Sequence, residues 1–426
     1  MYSLRQFLVL FIAYHGAYVE ALPTQGVQAA PPSEFTANPS IGGGGSQYKD
    51  SAHFRVYGVS SSTADQTLKV MEAAHQCFVE TLGWRTPGLS YKSDSGAYYK
   101  ENIYRVDASS MPGAAAQTWT DATAGLAYLK VVEQYMTTPG VIVHEYGHAM
   151  TYSEKNWIDQ TRTGAWWETI ANFIADTYVS TPVCETAKAK SSLPSGDSLI
   201  ELKEVIGNSY KVIVDGTSGS GNYYQAWPFL SYITNNPDNY SGLGSQALLN
   251  MIRKYKLNSN ETPLHSLERL LSGVTIQQVV GRYWARMAYV DIGHSKAQQM
   301  FSSQKKSLTY ANLDSNGNGK YTVKSARQPR YMGSNIIPLK ATSSTINASV
   351  TASGAFTASL VVKASSGTFR YVDLVNGSGS VTIASGEEAS LVVANTPSLV
   401  QYDPFSIPAD VNKGLSYSIQ ISGATA

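Results

Sequence analysis

His144, Glu145 and His148 are the residues whose types and spacing can do chemistry, since they form H-E-x-x-H directly after the apolar run Val141-Ile142-Val143. On a helix, residues four apart share one face, so both imidazoles can reach one metal ion. The glutamate between them stands beside that ion, where its carboxylate can take a proton from water. Paired imidazoles suit zinc. The chain holds seven histidines in 426 residues, which makes a chance match uncommon. A buried helix with two hydrogen-bonded histidines would also satisfy the pattern, so a third ligand must be found.

Glu168 supplies it. This residue lies twenty positions after His148, in the helical pattern Trp166-Trp167-Glu168-Thr169-Ile170-Ala171-Asn172-Phe173. Two imidazoles and one carboxylate hold a single Zn2+ and leave the fourth position open for water. Asn172, one turn further on, can hydrogen-bond a ligating imidazole and fix its tautomer, and Asp176 is a rival for that task. Glu154 competes as third ligand, six residues after His148. The longer motif that uses this position needs a glycine where Thr151 stands, so Glu168 is preferred.

Glu168, at this distance from His144-Glu145-Tyr146-Gly147-His148, resembles the gluzincin branch of zinc metallopeptidases, the thermolysin-like group. The resemblance is firm from Gly125 to Ser180 and looser over the helical region that follows. In that group an aspartate stands four residues after the glutamate ligand. Here the position is Asn172, which weakens the usual carboxylate support. Trp166-Trp167-Glu168 with Asn172 and the terminal β region also resembles secreted microbial and fungal gluzincin-like proteins of unassigned substrate. The resemblance implies a hydrolase that cleaves peptide or glycopeptide bonds with metal-activated water, Glu145 being the general base. A Tyr or His would meet the developing negative charge, and Tyr223, Tyr224 and His265 are the candidates. The alternative is a secreted, non-catalytic zinc-containing protein that binds a partner as an effector.

The elements that must position these residues can be read from pattern. A strand is expected over 53–57, a helix over 64–81 with Leu68, Met71, Ala74, Phe78 and Leu82 on one stripe, and a second strand over 102–106. Residues 125–132 read as a third strand, at the sheet edge where extended substrate would bind. Pro139 suits the first turn of the helix that carries His144. Helices follow over 223–234, 245–256, 263–271 and 276–290. Short alternating runs from 336 onward predict an antiparallel β-sandwich. The expected fold is therefore an α+β zincin-like catalytic domain over 48–180, a mainly helical half over 181–335, and an all-β sandwich over 336–426. Asp314-Ser315-Asn316-Gly317-Asn318-Gly319 begins like a calcium loop, but Ser325 stands where the bidentate acid belongs, so a turn is the better reading.

Export is the expected fate. Arg5, the apolar run Phe7–Ala13 and the small residues of Val19-Glu20-Ala21 make residues 1–21 a signal peptide. Residues 22–47, rich in Pro, Ala, Gly and Ser, read as a disordered linker or propeptide. Cys77 and Cys184 can form one disulfide in an oxidising compartment, and sequons at Asn239, Asn260, Asn347 and Asn376 fit a secreted glycoprotein. Charged residues make up only 15% and the formal net charge is +1, so neither nucleic acid nor an anionic membrane is implied as a partner. The chain is expected to act as a monomer.

Overall fold

A computed structural model describes residues 31–426. The expected signal peptide and residues 22–30 lie outside the described residues. Contacts divide the chain into two compact units, the first ending at Gln160 and resuming over Ile170–Leu199, the second comprising Thr161–Thr169 and Ile200–Ala426. Mixed helices and several β-sheets make up the fold, with two of the sheets in the C-terminal part. No helix among the described residues is long and apolar enough to cross a membrane.

The first unit is built on a five-stranded sheet. Its strands are β1 (Tyr48–Asp50), β2 (Phe54–Tyr57), β3 (Glu101–Val106), β4 (Ala116–Asp121) and β5 (Leu126–Val132), in the order β1-β2-β3-β5-β4. The three inner strands run parallel and the two edge strands antiparallel. All four residues of β2 are buried, as befits a strand covered on both faces. The 125–132 stretch is thus an inner strand, and the edge belongs to β4. Its sequence, Ala-Gln-Thr-Trp-Thr-Asp, alternates but is polar, because an edge strand need bury only part of its surface.

Helix α1 (Ser61–His75) starts where the Ser60 hydroxyl accepts the Thr63 N–H, and it buries Leu68, Met71 and Ala74. Beyond His75 it widens into a π-helical stretch, Gln76–Thr81, closed by the Leu82 N–H donating to the Cys77 carbonyl. Cys77 is disulfide-bonded to Cys184.

The segment expected as a disordered linker is packed from Phe35 onward. Phe35 and Ile41 are buried, and the Phe35 N–H donates to the Ala52 carbonyl. The Asn102 amide donates to the carbonyls of Asn38 and Ile41. Glycine at position 42 lets the chain pass flat over the sheet. Its φ is +82°, and a Cβ there would lie 2.5 Å from the Tyr104 ring. Average composition hid these two apolar anchors.

The second unit holds helices and both remaining sheets. After α2 (Pro139–Ser153), α3 (Trp166–Ser180) and α4 (Glu185–Lys190) come α5 (Leu202–Gly207), α6 (Asn222–Gln225), α7 (Trp227–Asn235) and α8 (Ala247–Arg253). Three more follow, α9 (Pro263–Glu268), α10 (Ile276–Met287) and α11 (Ser295–Gln304). The single helix expected over 223–234 is broken, since Pro228 fits only the first turn of a new one. In the C-terminal part, ten strands form two antiparallel sheets whose inner residues share one core, including Ile346, Val350 and Ile419 from one sheet and Leu360, Val362 and Leu391 from the other. Two of the strands, Leu313–Ser315 and Lys320–Val323, precede residue 336, and the calcium-loop look-alike is the turn of their hairpin.

Candidate metal centre

Helix α2 is buried almost throughout, and its proline stands in the first turn. The imidazoles of His144 and His148 lie at 82° to one another with their Nε2 atoms 3.2 Å apart. Helix α3 approaches α2 closely at Gly147, where a Cβ would come within 3.0 Å of the Ala171 Cα and 3.3 Å of Ile174. That approach places the Asn172 amide oxygen 2.9 Å from His144 Nδ1. With Nδ1–H donating to that oxygen, the lone pair of His144 is on Nε2.

One ligand atom each from His144, His148 and Glu168 lies within 4.8 Å of the others, and all three residues are buried. Two imidazole nitrogens and a carboxylate oxygen so grouped could hold a metal ion. Glu145, also buried, is held from β4. The Thr118 hydroxyl lies 2.8 Å from both Glu145 Oε2 and the Glu145 carbonyl oxygen. Sequence reading missed Thr118, although the alternation over 116–121 marks a strand.

The Glu154 carboxylate accepts the Arg85 N–H at the end of α2. Asp176 accepts hydrogen bonds from the Ser180 and Ser198 hydroxyls and from the Leu199 N–H. His265 closes a capping box with Thr262 at the start of α9. Tyr223 is tied to α3, its carbonyl accepting from the Thr169 hydroxyl at 2.6 Å, and its ring packs 4.3 Å from that of Tyr224. Burial pushes the pKa of the Tyr223 hydroxyl up, the hydrogen bond with Tyr224 pulls it back in part, and the charge of Glu168 adds to the rise. The hydroxyl therefore stays protonated and able to donate at neutral pH.

A second group of titratable side chains lies in the first unit. Ligand atoms of His53, His75 and the exposed Glu80 are also within 4.8 Å of one another. Here the imidazoles stack, 3.9 Å between centroids and 13° between planes. His53 Nδ1 is 2.7 Å from Glu72, and His75 Nδ1 is 3.1 Å from the Tyr146 hydroxyl.

Comparison with known proteins places the chain by family. A family of unknown function, DUF6055, matches residues 50–426, and the chain belongs to it. No curated protein matches the chain.

Proposed function

We propose that this chain is a secreted, zinc-dependent metallopeptidase of gluzincin type, with a zincin-like first unit. The observation that carries this reading is the buried set His144, His148 and Glu168, with Glu145 on the same turn of α2. When bound, zinc supplies a Lewis acid that acidifies water and polarises a carbonyl. Thr118 holds Glu145 Oε2, which leaves Oε1 to accept a proton and return it to the leaving amine. Tyr223, whose carbonyl is tied to Thr169 next to Glu168 in sequence, is a candidate for the donor that meets negative charge on the carbonyl oxygen. A bonded Cys77–Cys184 pair and four exposed sequon asparagines support an exported glycoprotein. Peptides or glycopeptides are the proposed substrates.

Metal analysis of the purified protein, followed by a peptide-library digest, tests the reading. One zinc per chain and cleavage are expected, with Glu145→Gln retaining zinc and losing about 100- to 10,000-fold in turnover. Undiminished turnover in that variant would remove Glu145 from the chemistry. Asn172 favours one second reading, a non-catalytic zinc-containing binding or effector protein, because an amide supports His144 less strongly than a carboxylate. Stoichiometric zinc without cleavage of any library member would establish it.

A further inference from the structure

The two antiparallel sheets of the C-terminal part end in four strands, and three of the four have a feature that discourages pairing with another chain. Ala424–Thr425 is two residues long, and Leu313–Ser315 is three and bears the exposed Asp314. Phe369–Asp373 carries two ion-paired charges, Arg370 with Glu387 at 2.6 Å and Asp373 with Arg282 at 2.8 Å. The fourth, Ser378–Thr382, reads Ser-Gly-Ser-Val-Thr and has neither charge nor proline. Among the described residues a strand pairs with it on one side alone, Thr345–Ala352. The Arg370 guanidinium donates to the carbonyl of Thr382, at its far end. Val375, just ahead of it, is 73% exposed. An edge of this kind is a template for strand addition.

The sheet face beside this edge is equally bare of charge. Side chains alternate in and out along Thr345–Ala352, Ser378–Thr382 and Tyr417–Ser422, and every exposed one is Ser, Thr, Asn or Gln. The outward face of the other sheet differs, because α10 approaches it so closely at Gly281 that a Cβ would strike the Thr357 side chain. Two of the chain's four N-x-S/T sequons lie at the bare face. Asn347-Ala348-Ser349 runs along the neighbouring strand, and the exposed Asn347 pairs directly with Ser380, the middle residue of the edge strand. Asn376-Gly377-Ser378 runs into the edge strand itself, with the exposed Asn376 in a left-handed turn at φ +51°. Asn239 and Asn260, by contrast, stand in connections between helices.

We propose that Asn347 and Asn376 carry N-linked glycans, and that these glycans guard the edge strand Ser378–Thr382 against pairing with a second copy of the chain. The proposal rests on the export part of the function given above and is independent of peptidase activity. In the modification, Asn Nδ2 bonds to C1 of the sugar and the C1–O bond to a lipid diphosphate carrier breaks. One amide proton is released and the carrier leaves as its diphosphate. The second amide proton of Asn347 stays to donate to the Ser422 hydroxyl, which lies 3.1 Å from Nδ2. One bulky, hydrated glycan beside the edge and another at its start occupy the space that an incoming strand would need. The face tolerates them because its side chains are small and carry no charge to desolvate.

The test uses the full-length protein secreted from a eukaryotic host, with glycopeptide mass spectrometry and light scattering behind gel filtration. Glycans at both sites and a monomeric wild type are expected. Asn347→Gln combined with Ser378→Ala removes both sequons and keeps Asn376 in its turn, and it should shift the protein toward dimers and larger species. Enzymatic removal of the glycans from the folded wild type should give the same shift, which covers a variant that folds poorly. Adding Ser380→Lys, a charge on the edge itself, should return the protein to monomer. Ser241→Ala, which removes the Asn239 sequon, should leave it monomeric. Bare Asn347 and Asn376 in a protein glycosylated elsewhere, a double variant that stays monomeric, an equal shift in Ser241→Ala or no rescue by Ser380→Lys would each overturn the proposal alone. A secreted protein without any glycan would overturn the glycoprotein reading with it, while the zinc and cleavage assays would stand apart.

Discussion

One histidine pair stands on helix α2 and another packs against it, and the two differ in ring orientation. His144 and His148 stand on the helix at 82° to one another, with their Nε2 atoms converging. His53 and His75 lie behind it, stacked at 13°, and meet α2 through Tyr146, two residues along and therefore about 200° around the helix from either His144 or His148. Both pairs have an acidic residue within reach and a hydrogen-bonded Nδ1. An imidazole lone pair lies in the ring plane. Perpendicular rings can aim two lone pairs at one point, whereas a cation between parallel rings would meet π faces. Proximity of donors is thus common to the two groups, and ligand geometry belongs to one. The stacked pair instead anchors packing, with Phe35 and Phe54 edge-on to its rings.

Removing ligands draws the sharpest line between the pairs. His144→Ala, His148→Ala or Glu168→Ala should abolish zinc retention, read as metal per chain after gel filtration. His53→Ala should keep one zinc and lose about 2–3 kcal/mol of stability, from lost packing and the loss of one of the hydrogen bonds to Glu72, which keeps the backbone N–H of residue 53. Zinc loss from His53→Ala alone, in a folded protein, would erase the distinction. Opening the disulfide acts on the stacked side, since Cys77 lies two residues after His75. Cys77→Ser with Cys184→Ser should cost about 2–5 kcal/mol in urea unfolding and leave zinc stoichiometry unchanged. Asn172→Ala acts on the metal side. It frees the His144 tautomer and should weaken zinc binding by about 10- to 100-fold in chelator competition, with little effect on Tm of the metal-free protein. Gly147→Ala should weaken it in the same direction by pushing α3 away from α2.

Much of this centre was legible because helix geometry is local. A spacing of four fixes two histidines on one face whatever the rest of the chain does, and a further periodic run marks the next helix. The edge of the sheet was not legible. Residues 125–132 are apolar enough to read as a strand, but whether another strand covers them depends on 116–121, a run too polar to stand out. Thr118 went unseen for that reason. Phe35 and Ile41 were masked by the small and flexible residues around them, although two buried apolar side chains suffice to dock a segment. The stacking of His53 on His75 joins a strand approach to a helix, and no single-chain periodicity encodes it.

The smallest expected effect concerns acid stability and isolates the stacked pair. Burial, then the adjacent His53, push the pKa of His75 down from 6.5 to about 3, with Glu72 opposing. The unfolded chain therefore binds a proton between those values that the folded chain does not. Stability from this group is fully present above about pH 6.5 and is lost progressively as pH falls toward 3. By pH 5 the loss should be about 1–2 kcal/mol relative to pH 7. Metal release would add its own acid dependence, so the comparison belongs in a His144→Ala/His148→Ala background. There, His75→Gln should flatten the fall in urea midpoint between pH 7 and pH 5, at the expense of a lower midpoint at neutral pH. An unchanged slope would show that His75 takes up its proton within the folded protein, and that the stack opens more easily than its packing implies.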